Sequence, residues 1–188
     1  MVADLVHQLK VTLRGVKPPV WRRIVVKSDV TLGELAALLE GAMGWLGGHL
    51  HAFDVDGTWY GMPDPDWESD DLDESQYRLR DVLSGEGAKM RWDYDFGDGW
   101  EHDVVVEKIN PVDPEVEYPV CLSGRRACPP EDCGGPHGYD RLLTALADAS
   151  HPDHEELKSW APPDFDPAYF DVEGANLAMR SPRPLSGW

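Results

Sequence analysis

The chain predicts an α+β fold: a β-grasp, ubiquitin-like opening of hairpin, helix and strand, then a central hairpin, then C-terminal helices. Three stretches carry that expectation. Residues 5–13 and 20–27 alternate in polarity on either side of Gly15 and Pro18-Pro19, the pattern of a β-hairpin. Residues 32–43 place Leu32, Leu35, Ala36, Leu39 and Met43 at helical spacing. Residues 91–107 alternate again around Gly97-Asp98-Gly99, glycines that allow the positive φ of a tight reversal.

In chain order, Leu5, His7, Leu9, Val11 and Leu13 share one face of the first strand. The second strand carries Trp21, Arg23 and Val25 on one side and Val20, Arg22, Ile24 and Val26 on the other. Thr31 and Glu34 form a capping box, in which hydroxyl and carboxylate each satisfy a free amide at the start of the helix. Gly44, Gly47 and Gly48 end that helix, and residues 49–55 form a strand with His49, His51, Phe53 and Val55 on one face. Residues 63–74 hold seven carboxylates and no base, which predicts a solvated acidic loop. Tyr77–Leu83 reads as a short helix or turn. In the central hairpin, Trp92, Tyr94 and Phe96 face one way, and Trp100, His102, Val104 and Val106 line one face of the return strand. Residues 110–136 are expected to be irregular, being rich in Pro, Gly and Cys. Helices are expected at 139–148, from Pro152-Asp153 through Trp160, and after an Asp166-Pro167 N-cap. One domain is expected over residues 1–180, with 181–188 as a loose tail.

The charge balance narrows the function. Thirty-five Asp and Glu oppose 17 Lys and Arg, a net charge of −18. Such a field repels phosphate backbones, so direct nucleic-acid binding is not expected, and basic partners are favoured. No apolar run is long enough to span a membrane. The start of the chain has no signal-peptide pattern. Three cysteines do not make a disulfide framework, so a reducing cytoplasm is the expected location.

Two clusters hold residue types suited to chemistry. Cys121, Cys128 and Cys133 lie within thirteen residues, with His137 close behind. Thiolates and imidazole are zinc ligands, and a structural site wants four. The same thiols, reduced and packed as small hydrophobes, give the second reading, because their spacing is not the C-x-x-C knuckle. The other cluster is the inward-facing His49, His51 and His102 with Asp95 and Asp98 near the hairpin turn. Two histidines and a carboxylate would make a catalytic metal site if the two strands lie close. The alternative is core histidines, each bonded to a carboxylate or carbonyl. Phosphate-binding glycine loops, nucleophile elbows and H-E-x-x-H are absent, so no enzyme motif stands behind either cluster.

The ordered motifs Pro18-Pro19-Val20-Trp21-Arg22-Arg23, Gly44-Trp45 with His49-Leu50-His51-Ala52-Phe53, Tyr94-Asp95-Phe96-Gly97-Asp98-Gly99-Trp100-Glu101-His102, Ala127-Cys128-Pro129-Pro130-Glu131-Asp132-Cys133-Gly134-Gly135, and Phe165-Asp166-Pro167 carry a resemblance. The chain resembles the plasmid pRiA ORF-3-like family, whose members also travel as insertion-element passengers under a "TnpR" label. The resemblance implies a compact α+β domain and brings no catalytic residues with it. The resulting expectation is a non-catalytic soluble domain that binds a protein or small molecule, linked to mobile genetic elements. The alternative is a zinc-dependent, hydrolytic enzyme using His51, His102 and nearby Asp or Cys side chains.

Overall fold

Alternation along the strands produces two unlike faces of one sheet. On the strand Trp100–Pro111, Trp100, His102, Val104 and Val106 are buried while Glu101 and Asp103 point away from the core. The computed structural model describes residues 4–63 and 70–181. Its strands are β1 (Leu5–Leu13), β2 (Trp21–Lys27), β3 (His51–Val55), β4 (Thr58–Gly61), β5 (Leu72–Asp73), β6 (Lys89–Tyr94), β7 (Trp100–Pro111) and β8 (Val120–Arg125). They form one sheet in the order β5-β4-β3-β6-β7-β1-β2-β8, antiparallel throughout except for the β4–β5 pair. The helices are α1 (Leu32–Met43), α2 (Leu79–Val82), α3 (Gly135–Ala147), α4 (His154–Trp160) and α5 (Val172–Arg180).

The α+β expectation and the order of hairpin, helix, strand and central hairpin are present. The ubiquitin-like detail is not established by this sheet. Both strands of the central hairpin lie between β3 and β1, and β1 is flanked by β2 and β7, antiparallel to both. Thr31 caps α1 as the capping box requires, its hydroxyl accepting from Glu34 N and its own N–H donating to the Glu34 carboxylate. One face of the sheet receives α1 through Leu32, Leu35, Ala36, Leu39 and Met43, α3 through Tyr139 and Leu142, and α5 through Ala175 and Met179. Helices α1 and α5 cross closely at Gly41, where a Cβ would lie 3.0 Å from the backbone at Ala178 and Met179. The opposite face carries ion pairs, Arg23–Glu107 at 2.6 Å, Arg14–Glu101 at 2.8 Å and Arg91–Asp93 at 2.9 Å.

Several boundaries differ from expectation. β8 runs through the stretch expected to be irregular: Val120–Arg125 is a short edge strand whose alternation is blurred by Ser123-Gly124. Asp166 closes only a turn, and the last helix begins six residues later, where Asp171 Oδ1 accepts from Glu173 N. Phe96 lies beyond the end of β6 in the turn and is exposed. His49 falls in the loop before β3, because Gly47 and Gly48 keep the backbone in left-handed conformations up to that point. Of the acidic stretch, 64–69 lie outside the described residues, as do 1–3 and the expected tail at 182–188. Glu74 corrects the picture of a wholly solvated loop, since it is buried beneath α1.

Candidate functional site

The aromatic side chains of the central hairpin build a stack that reaches from the core to the surface. Alternation puts Trp92 and Tyr94 on the covered face of β6. Trp45, delivered by the end of α1, stacks on Tyr94 at 4.7 Å between centroids, and its indole N–H donates to the Pro129 carbonyl at 3.0 Å. Tyr94 in turn donates its hydroxyl to Glu131 at 2.9 Å. These two bonds tie the cysteine-containing loop to the sheet.

His102 lies at the inner end of this stack, fully buried against Trp92 and Trp45. Its Nδ1–H donates to the Trp92 carbonyl at 3.1 Å. Desolvation pushes its pKa down to about 3, so the ring is neutral at physiological pH. His51 is also buried, but its Nε2 bonds Glu74 at 2.9 Å. The structure does not bring His51 and His102 together. β6 separates their strands, and two strand spacings alone amount to about 10 Å. A shared metal, with bonds of about 2 Å, would need them far closer. Asp98 serves the backbone, its Oδ2 accepting from Gly134 N at 3.2 Å.

The cysteines and His137 are not gathered either. Cys121 sits on β8 with its thiol on the Ser123 carbonyl, Cys133 lies against the Gly135 carbonyl, and His137 is exposed on α3. Burial raises all three thiols, Cys133 to about 12. Thiols held above physiological pH are protonated, poor nucleophiles and poor ligands until a metal displaces the proton.

Between the end of α1, α5 and the cysteine loop lies a cleft of about 710 Å³, lined by Trp45, Trp160, Phe165, Tyr169 and Phe170 among others. Arg22 forms part of its floor. This guanidinium is spent on carbonyls, with Nε donating to Ala42, Nη2 to Met43, and Nη1 to Trp21 and Arg125. Phe170 covers it at 3.9 Å. Burial lowers its pKa, with the two flanking thiols Cys128 and Cys121 opposing that shift. The remaining charges on the lining are acidic: Glu131, Asp132 and Asp171. The role of Arg22 was not evident from the sequence. Its place on the inward side of β2 beside Val20 and Ile24 was the available signal.

At the outer end of the same aromatic stack, His49 stands edge-on to Tyr94. His49, Asp95 and Asp132 present ligand atoms that all lie within 4.8 Å of one another. Among the described residues, no other group of His, Cys, Asp and Glu meets that spacing.

The structure therefore defines an α+β protein with one covered sheet face and an aromatic, acidic cleft at its helical cover. The chain belongs to the plasmid pRiA4b ORF-3-like protein family, whose model matches residues 5–174. It is 40% identical over 181 residues to the uncharacterized protein y4hQ of Sinorhizobium fredii, covering 95% of this chain and 92% of that one. It is also similar to the crystal structure of a protein of unknown function, MM3350 from Methanosarcina mazei Go1. That similarity has a TM-score of 0.82 at 35% identity and covers 92% of this chain and 98% of the other. Among the described residues, no helix is long and apolar enough to cross a membrane.

Proposed function

We propose that this chain is a non-catalytic binding domain whose cleft takes a ligand with an apolar or aromatic body and a positive charge, either a small amine or a basic side chain of a partner protein. The observation that carries this reading is the composition of the cleft wall. Five aromatic rings stand beside Glu131, Asp132 and Asp171, while the one base on the lining, Arg22, is already bonded to four carbonyls. Aromatic faces and nearby carboxylates both favour a cation, and about 710 Å³ suits a small ligand. The net charge of −18 adds long-range attraction for the same partners. The plasmid in the family's name is what supports linking this role to mobile genetic elements.

The test is a titration with tryptamine and with its uncharged alcohol analogue tryptophol, followed by the indole N–H resonances. Saturable shifts with the amine, weaker shifts with the alcohol, and loss of both in Ala178→Phe are expected. Ala178 is an exposed residue on the cleft wall, so a larger side chain there fills the cleft without entering the core. Equal response to amine and alcohol, or binding unchanged in Ala178→Phe, would sink the reading.

A further inference from the structure

The cluster of His49, Asp95 and Asp132, of which Asp132 alone also lines the cleft, goes beyond that reading and does not depend on it. His49 comes from the loop before β3, Asp95 from the turn of the central hairpin, and Asp132 from the cysteine loop. We propose that these three side chains bind one divalent transition cation of the zinc class, and that the cation pins the cysteine loop to the hairpin.

The donor set fits. An imidazole nitrogen and two carboxylate oxygens are ligands that zinc accepts at about 2.0–2.2 Å, which places neighbouring ligand atoms of a tetrahedron about 3.4 Å apart. Taking one ligand atom from each residue, the donors of His49, Asp95 and Asp132 all lie within 4.8 Å of one another, and His49 Nδ1 is 3.4 Å from Asp95 Oδ2. Asp95 is positioned for the task. Its Oδ1 accepts from Gly97 N and Asp98 N, which leaves Oδ2 directed at His49. The Tyr94 ring supports the imidazole edge-on, and Asp132 remains mostly in solvent, able to close on an ion.

A second observation points to a missing positive charge. Glu40 is 7% exposed, and its Oε1 has no hydrogen-bond partner. Its other oxygen lies 2.8 Å from where a Cβ on Gly47 would be, so the carboxylate is turned toward the loop that delivers His49. Electrostatically it sits among His51, Glu131, Glu74 and His49. The neighbourhood thus holds the carboxylates of Glu40, Glu74, Glu131, Asp95 and Asp132 with only two imidazoles. Among the described residues, no Lys or Arg forms an ion pair with any of these five. A buried carboxylate with an unsatisfied oxygen beside further carboxylates is costly, and a bound cation relieves that cost. Arg22, the nearest base on the cleft lining, is committed to carbonyls and does not supply the charge.

The site is distinct from the one expected at Cys121, Cys128, Cys133 and His137, and variants separate the two. Full-length, tag-free protein is stripped with chelator, dialysed and titrated with zinc chloride by calorimetry. One saturable site per chain is expected, lost in His49→Ala, weakened at least about tenfold in Asp132→Asn, and unchanged in Cys133→Ser. Asp132 is exposed and the bonds that hold its loop come from other side chains, so Asp132→Asn reports on binding without risk to folding. Absence of saturable zinc binding by folded parent protein overturns the proposal. So does binding that persists in His49→Ala and Asp132→Asn, or binding lost only in Cys133→Ser. Tryptamine binding in protein that takes up no zinc would leave the cleft reading standing while this one fell.

Discussion

His102 and His49 touch opposite ends of one aromatic stack, and their surroundings make them different chemical groups. Trp45 and Tyr94 stack at 4.7 Å; His102 meets Trp45 edge-on at 5.2 Å, and His49 meets Tyr94 edge-on at 5.6 Å. The inner ring is closed in by Trp92 and the sheet, bonds a carbonyl, and is held neutral by desolvation. The outer ring meets Asp95 and Asp132 at the protein surface. Aromatic packing orients both imidazoles, and what completes the shell decides the role. Apolar walls make a histidine part of the core, whereas carboxylates at the surface make one end of a ligand set.

Removing the stack gives the largest break. Trp45→Ala should lower stability by about 3–5 kcal/mol in denaturant unfolding, because a buried indole and its bond to Pro129 are both lost. It should also loosen both histidines, so a drop below about 1 kcal/mol would mean that the stack does not join the two regions. Gly138→Ala attacks the outer region alone. A Cβ there would overlap the Cys133 carbonyl, so the loop must shift, at an expected cost of about 1–3 kcal/mol. The nitrogen shifts of His102 should stay those of a neutral Nδ1–H ring in this variant, and a change in them would show the two ends to be coupled.

Acid titration sharpens the contrast. The folded pKa of His102 is depressed to about 3 against an ordinary value of 6.5, so the unfolded chain binds the proton that the folded chain refuses. Its contribution is therefore complete above about pH 6.5 and falls as pH drops toward 3, by about 1.4 kcal/mol per pH unit for one proton. His7 acts in the same sense, since burial lowers its pKa while its Nε2–H bonds the Leu83 carbonyl. The variant His102→Phe should flatten stability between pH 6 and 4 by about one proton. Urea midpoints across that range decide it, and an unaltered slope in His102→Phe would refute the assignment.

The smallest effect belongs to the open face of the sheet. Glu107 takes two hydrogen bonds from Arg23 and one from Gln8, which hold its carboxyl at about 2. That stabilisation is present above about pH 4.5 and is lost as pH falls toward 2. Because both groups are partly solvated, Glu107→Gln should cost only about 0.5–1 kcal/mol at neutral pH. Thermal unfolding with and without high salt checks this, and a larger, salt-independent loss would mark the open face as structurally essential.

Much of the fold was legible because its signals are local. The alternation of residues 5–13 appears as β1 without change, the capping box opens α1, and the inward face of β7 is the one its apolar residues define. His102 was legible as a polar ring on that face in need of a partner, which proved to be a carbonyl. Short elements escaped. The Asp56-Gly57 turn into β4 was a usable hairpin signal, but four residues carry little periodicity, and the edge strand β8 has a single buried position.

The amino-acid sequence by itself determined the α+β class, the main strands, the first helix and the acidic character. Each of those follows from side-chain period, capping chemistry and composition over a few neighbouring residues. Only the tertiary structure decided the partners of the histidines. Strict alternation put His49 and His51 on one face, yet His51 went to Glu74, and His49 stopped short of the strand among Asp95 and Asp132. The physical reason is that those carboxylates arrive on separate segments. The approach of Asp132 is set by Trp45 and Tyr94 docking the cysteine loop on the sheet, an interaction no local pattern contains.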